Sequence, residues 1–175
     1  MQNFRREAPP AKLNNMINIR VGFGYDVHPL GEGRDLWLGG IKIKFEKGCV
    51  GHSDADVLLH AICDALLGAA NLRDIGVHFP NTDPKYKGAD SKLLLTEVVQ
   101  LLSSHGYAVG NIDATLSLEA PKINPHIEAM QNCIAPILNV TTNEVSIKAT
   151  TNEKLGYVGR SEGVNAYAVA LIYKK

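Results

Sequence analysis

The patterned part of the chain opens with Ile17-Asn18-Ile19-Arg20-Val21, apolar at every second position and β-branched there. A period of two over such residues predicts a strand, and it runs on into Gly22-Phe23-Gly24-Tyr25-Asp26-Val27-His28-Pro29. Side chains two apart share a face, so Asp26 and His28 are expected side by side with Val27 buried on the other face. After a turn-rich loop from Leu30 to Asp35, the run Leu36 to Ile43 reads as a hairpin that extends the sheet edge. From Asp54 to Ala70 the period turns helical. Val57, Leu58, Ala61, Leu66 and Leu67 form its apolar stripe, and Ser53 or Asp54 is available as N-cap. His60 is expected about two turns into this helix, with Asp56 and Asp64 four residues to either side on its face.

The stretch from Asn71 to Ala89 is too rich in Pro, Gly and Asp for an element and too long for an ordinary connection. Its aromatic and apolar residues favour an ordered, ligand-facing loop. Asp90-Ser91 then caps a second helix from Lys92 to His105, with Leu93, Leu94, Val98, Leu101 and Leu102 as its buried stripe and Gly106 as its stop. Tyr107 to Leu118 reads as a strand broken by Glu119-Ala120-Pro121-Lys122. A third helix is expected from Pro125 to Leu138, with Pro136 kinking its last turn. Val145 to Ala149 and Asn165 to Tyr173 are further strands. Residues 1–15 lack periodicity and contain Pro9-Pro10, so they read as a mobile tail ahead of one domain over residues 16–175, with Met16 a natural start.

Composition narrows the function classes. Eighteen basic residues balance 18 acidic ones in 175, so no global field attracts nucleic acid or an anionic membrane. A net charge of zero also fits a surface hidden in an oligomer. Cys49, Cys63 and Cys133 are odd in number and widely spaced, which argues for free thiols in a reducing, cytoplasmic compartment and against a structural zinc knuckle. No apolar run approaches the roughly 18 residues of a membrane span.

The candidate chemistry gathers around Asp26 and His28. Alone, Asp-x-His is a weak signal, more often a pair of structural hydrogen bonds than a metal site. The pair gains weight because a helix packed on that strand can supply His60 as a third ligand, leaving an open fourth position. His52-Ser53 stands at the mouth of the same helix, where an anion can dock or Ser53 can simply cap. Thr150-Thr151-Asn152-Glu153-Lys154 follows a strand and suits a phosphate with its metal ion, or else Thr151 and Glu153 cap a short helix.

Five blocks in order, Gly24-Tyr25-Asp26-Val27-His28, His52-Ser53-Asp54 through His60, Asp74-Ile75-Gly76, Ala120-Pro121-Lys122, and Lys148-Ala149-Thr150-Thr151 with Glu153-Lys154, closely resemble the 2-C-methyl-D-erythritol 2,4-cyclodiphosphate synthase family from Ile17 to Ile172. The resemblance implies an α+β single domain with a four-stranded mixed sheet covered by helices on one side. It also implies a homotrimer whose sheets face the three-fold axis, with active sites between adjacent subunits. The implied reaction is that of a phosphorus–oxygen lyase of the non-mevalonate (MEP) isoprenoid pathway. It converts 4-diphosphocytidyl-2-C-methyl-D-erythritol 2-phosphate to the cyclic diphosphate with release of CMP.

Carried onto this chain, the resemblance makes Asp26, His28 and His60 zinc ligands and Glu153 the holder of magnesium or manganese. His52 and Thr151 become the transition-state groups. Ser53, Asp74, Ile75 and Gly76, with Phe79, Pro80, Asn81, Thr82 and Asp83, would hold the erythritol and its phosphate. Cytidine would lie against Ala120, Pro121 and Lys122, and Leu118, Glu119, Ile123, Asn124, Thr150, Asn152, Tyr157 and Arg160 complete the substrate-binding set. Arg160 with Glu162 would also stand at the end of an apolar trimer channel able to take an isoprenoid diphosphate. Asn81, Asn152 and Tyr157 depart from the family's usual Asp, Thr and Phe, which bears on substrate contacts and not on the metal. Two other readings stay open beside this one: a zinc-dependent phosphohydrolase, and a non-catalytic trimer that binds isoprenoid diphosphates.

Overall fold

A computed structural model describes residues 18–175. The expected tail over residues 1–15, and Met16 as a start, lie outside the described residues. The opening alternation becomes β1 (Ile19–Glu32), followed by β2 (Leu36–Leu38), β3 (Ile41–Ile43) and β4 (Lys47–Cys49). Then come α1 (Val57–Ala69), α2 (Ile75–His78), α3 (Ser91–Ser104) and β5 (Tyr107–Ser117). The chain finishes with α4 (Ile127–Leu138), β6 (Val145–Thr150), α5 (Gly156–Gly159) and β7 (Gly163–Lys174). The strand order is β4-β1-β7-β5-β6, with β5 and β6 parallel and the other neighbours antiparallel.

This is an α+β single domain on a mixed sheet of five strands, not four. The strand missing from the expectation is β4. Its three residues, Lys47-Gly48-Cys49, are too few to display a period. The hairpin, too, departs from expectation: β2 and β3 pair only with each other as a separate two-stranded sheet and do not extend the main edge.

α1 is buried on nearly every side, from Val57 through Ala69, and lies across β1 and β7. Small residues make that approach possible. A Cβ on Gly22 would stand 1.9 Å from the Ala65 carbonyl oxygen, and one on Gly24 1.9 Å from that of Ala61. On β7 the same face presents Ala166, Ala168 and Ala170, all buried. The helix backbone therefore rests directly on the strand, close enough for a first-turn side chain to reach residues of β1.

The N-cap of α1 is Asp56, not Ser53 or Asp54. Its buried carboxylate accepts from Leu58 N and Leu59 N at 3.1 Å each, and also from Gly39 N at 2.9 Å and Gly40 N at 2.6 Å in the β2–β3 turn. The turn partners choose the cap, and no local rule could foresee them. His60 accordingly sits in the first turn. Nor do its flanking acids serve it: Asp56 is engaged by those four donors, and Asp64 accepts from Ile75 N at 2.7 Å.

The buried stripe of α3 is Leu94, Leu95, Val98 and Leu102, while Leu93 is exposed. Leu94, Val98 and Leu102 are thus buried as expected, Leu101 is half-buried, and Leu95 takes the place of Leu93. Asp90 caps it as expected, accepting from Lys92 N at 2.9 Å, and Gly106 follows it at φ +75. α4 starts at Ile127, after a 3-10 turn over Asn124–His126 that holds Pro125, and ends on left-handed Asn139. Each fully buried Leu or Ile of this core stabilises the fold by about 1.5–3 kcal/mol over leaving it exposed.

Among the described residues no helix covers the sheet's other face. Ile19, Val21, Phe23, Tyr25 and Val27 of β1, with Tyr167, Val169 and Tyr173 of β7, stand exposed along it. Val27, expected to be buried, is 41% exposed in the single chain. No helix among the described residues is long and apolar enough to cross a membrane, and Cys49, Cys63 and Cys133 are free.

Candidate metal centre and active site

Three side chains from two elements converge on one point. β1 projects Asp26 and His28 toward α1, whose first turn brings His60. Asp26 Oδ2 lies 3.0 Å from His28 Nε2 and 2.9 Å from His60 Nδ1, and those two nitrogens are 3.2 Å apart. No placement of hydrogens makes all three contacts good hydrogen bonds if both rings donate to the one oxygen, because two N–H groups then face each other. A cation at the centre resolves this. Ligands at 2.0–2.1 Å in a tetrahedral site stand about 3.3 Å apart, close to all three sides of the triangle. Among the described residues, these three offer ligand atoms that all lie within 4.8 Å of one another. One carboxylate and two imidazoles form a donor set that fits zinc with a fourth position left for a ligand.

The electrostatics agree with a preformed cation site. Burial opposes ionisation of Asp26, yet hydrogen bonds from His28 and His60 overcome it and hold the carboxyl well below the usual carboxylate range. Burial likewise disfavours a charged His60, but its bond to Asp26 and the nearby Asp charges raise its pKa above 6.5.

The triad lines a cavity of about 380 Å³ that also takes in His52, Ser53, Ile75, Gly76, Phe79 and Asn81 from the expected set. His52 Nε2 is buried and has no hydrogen-bond partner. Ser53 Oγ accepts from Ala55 N at 3.1 Å and lies 3.2 Å from His60 Nε2. Asp74 caps α2 by accepting from Val77 N at 3.2 Å, and Asp83 caps the following 3-10 turn through Lys85 N at 2.9 Å. Asp74, Pro80, Thr82 and Asp83 thus belong to the same loop without lining the cavity. Sequence reasoning missed Tyr86, whose ring meets Phe79 edge-on at 5.3 Å, and Leu94, which was read as core only.

A second cavity, of about 370 Å³, gathers Leu118, Glu119, Pro121, Lys122, Ile123, Asn124, Thr150 and Thr151, with Ala149 and Pro125 added by the structure. Ala120 adjoins it through a cis peptide to Pro121. Glu153 is exposed on the loop after β6, accepting from Thr151 Oγ1 at 3.1 Å, and does not join the triad. Thr151 caps no helix: α5 begins only at Gly156, with Leu155 as its N-cap. Asn152 Oδ1 accepts from Ser117 Oγ at 2.5 Å. Tyr157 lies on α5 with its hydroxyl 3.5 Å from that of Tyr25, and Arg160 pairs with Glu162 through two bonds of 2.9 and 2.8 Å.

Both cavities lie toward the same end of the sheet but not side by side. Asp26 pairs with Ala166, Ala166 with Leu116 and Leu116 with Ala149, so β1 and β6 are three strand spacings apart, about 14 Å.

Comparison with known proteins gives the family. The sequence model of the YgbB family matches residues 19–173. The 2-C-methyl-D-erythritol 2,4-cyclodiphosphate synthase of Cytophaga hutchinsonii is 63% identical over 158 residues, covering 90% of this chain and 99% of that protein. The synthase of Porphyromonas gingivalis strain W83 is 61% identical over 154 residues, 88% of this chain and 95% of that one. Among solved structures, the bifunctional IspDF from Campylobacter jejuni superposes with a TM-score of 0.88 at 40% identity, covering 91% of this chain and 43% of its own. A 2C-methyl-D-erythritol-2,4-cyclodiphosphate synthase in a CDP-bound form gives 0.81 at 36% identity, covering 87% and 99%. The chain belongs to the YgbB family of 2-C-methyl-D-erythritol 2,4-cyclodiphosphate synthases and is an enzyme.

Proposed function

We propose that this enzyme cyclises 4-diphosphocytidyl-2-C-methyl-D-erythritol 2-phosphate to 2-C-methyl-D-erythritol 2,4-cyclodiphosphate, releasing CMP. In this reading an oxygen of the 2-phosphate bonds to the β-phosphorus, the bond from that phosphorus to the α-phosphate oxygen breaks, and the electron pair leaves with CMP. The observation that carries the proposal is the Asp26–His28–His60 triangle on a cavity that also holds His52 with a buried, unpartnered Nε2. No side chain need bond covalently to substrate. Burial pushes the Cys49 thiol up to about 12 and the Cys63 thiol well above its ordinary value, so neither is primed as a nucleophile.

Zinc held by Asp26, His28 and His60, with magnesium or manganese at Glu153, would neutralise charge on the diphosphate. The remaining work is positioning. His52 orients the attacking phosphate. Ser53, Ile75, Gly76, Phe79 and Asn81 shape the cavity around the erythritol, with Asp74, Pro80, Thr82 and Asp83 holding the loop that carries them. Thr151, with Thr150 and Asn152, steadies the diphosphate, and Tyr157 and Arg160 border it. The cavity from Leu118 to Asn124, including Lys122, receives the cytidine, where backbone groups read the base. The CDP-bound relative supports a cytidine nucleotide.

Assembly as a homotrimer belongs to the same reading. The span of about 14 Å between the strands that carry the two half-sites, and the bare apolar sheet face, favour completion of each site by a neighbouring subunit. A cytoplasmic setting is proposed on the three free thiols. The test is product analysis by phosphorus NMR with zinc and magnesium present. A cyclic diphosphate and CMP are expected, and an open-chain diphosphate would replace this reading with hydrolysis by metal-bound water.

A further inference from the structure

His60 presents two ring nitrogens, and the proposed ion uses only one. Nδ1 belongs to the triangle with Asp26 and His28. Nε2 lies 3.0 Å from Ser91 Oγ and 3.2 Å from Ser53 Oγ. Ser91 is the first residue of α3 and is fully buried. Its hydroxyl donates to Asp54 Oδ1 at 2.5 Å, and its backbone N donates to Asp54 Oδ2 at 3.0 Å. An ionised carboxylate can only accept, so the single hydroxyl hydrogen of Ser91 is committed to Asp54. Toward His60, Ser91 Oγ can then act only as acceptor, and the hydrogen of the contact belongs to Nε2. A neutral imidazole protonated at Nε2 has its lone pair at Nδ1, the atom that faces Asp26 and His28.

The arrangement is more than helix capping. α3 already has Asp90 as its N-cap, so the bond from the Ser91 hydroxyl to Asp54 is additional. The same segment ties down the end of the long loop, since Asp54 N donates to Ala89 O at 3.0 Å and Gly88 N to His52 O at 2.8 Å.

We infer that Asp54 and Ser91 form a positioning relay, carboxylate to hydroxyl to imidazole, that fixes the tautomer and tilt of His60. Affinity of the triad for a divalent ion therefore depends on two residues that do not belong to it. This rests on the metal reading given above. Orienting partners of this kind change metal affinity by about 10–100-fold when removed.

The test measures zinc affinity by chelator competition, and the visible spectrum of the cobalt-substituted protein, for the parent chain, Ser91→Ala and Asp54→Asn. The asparagine amide can donate to Ser91 Oγ, which turns the serine hydrogen toward His60 and favours the wrong tautomer. Both variants are expected to lose about 10–100-fold in zinc affinity, with shifted cobalt bands and an unchanged melting temperature of the metal-free chain. Asp54→Asn, close in shape to the parent, keeps the test decisive should Ser91→Ala fail to fold. Parent-like affinity and spectrum in the variants overturn the relay, as does an affinity loss matched by an equal fall in metal-free stability. A parent chain that binds no zinc overturns the metal reading itself.

Discussion

The two candidate half-sites are built in opposite ways. The triad end is assembled from regular elements, with His60 on a helix that glycines and alanines allow to rest on β1, and with Asp26 and His28 two apart on one strand. The far end is a loop. Glu153 and Lys154 hold left-handed φ values of +50 and +65, Glu153 is exposed, and its carboxylate accepts a hydrogen bond from Thr151 two residues away. A metal centre needs its ligands placed within a few tenths of an ångström, which packed elements provide. In the proposed trimer, where a neighbouring subunit would help hold the substrate, such a group has less need of a rigid place in the free chain.

That contrast predicts a large, metal-linked effect at the first region and a purely catalytic one at the second. His60→Ala removes a candidate ligand from the triangle, and turnover is expected to fall by at least about 10²–10³-fold while the proposed trimer still forms, checked by steady-state kinetics and light scattering. Loss of assembly with unchanged activity per folded chain would instead support a structural metal. Glu153→Gln is expected to lower turnover by about 10–100-fold at saturating magnesium with zinc affinity and melting temperature unchanged, a split read by kinetics beside a zinc titration. A fall in zinc affinity there would erase the distinction between the two ends.

Gly24→Ala tests the seating of α1 on β1. The new methyl would overlap the Ala61 carbonyl, so a destabilisation of about 1–3 kcal/mol is expected by denaturant titration, with weakened zinc binding because His60 moves off the triangle. An alanine tolerated without either change would show that the close approach is not what sets the site.

The smallest expected effect is one of pH. The pKa of His60 is raised by its bond to Asp26, so in the metal-free chain that contact contributes its full stability below pH 6.5 and loses it as pH rises through the raised value. Asp26 is depressed, so its share is present above the ordinary carboxylate value of 3.8 and fades as pH falls below it. Zinc competes with the proton on His60, and its affinity should accordingly climb as pH increases above 6.5, measured by titration at several pH values. A flat profile would remove His60 from the ligand set.

Much of this was legible in the sequence, and the failures are instructive. The period of two places Asp26 and His28 on one face and the helical period shows the helix that carries His60, because those signals are local and long; that His60 meets the pair follows only from expecting that helix to pack on the strand. Val27 was misassigned because alternation separates two faces without telling a face covered by helices from one left bare. The sequence offers Ser53 or Asp54 as the cap of α1 and misses Asp56, because the β2–β3 turn decides it through Gly39 and Gly40. β4 was missed for its brevity. Ser91 was read only as part of a helix start, since nothing local links it to His60.

The most direct test of the account is the stoichiometry of zinc bound by the purified chain, measured calorimetrically and by elemental analysis. One tightly held zinc per chain is predicted, lost in Asp26→Asn and in His60→Ala while the circular dichroism of the fold is kept. No bound zinc in the parent, or a stoichiometry that survives both substitutions, would contradict it.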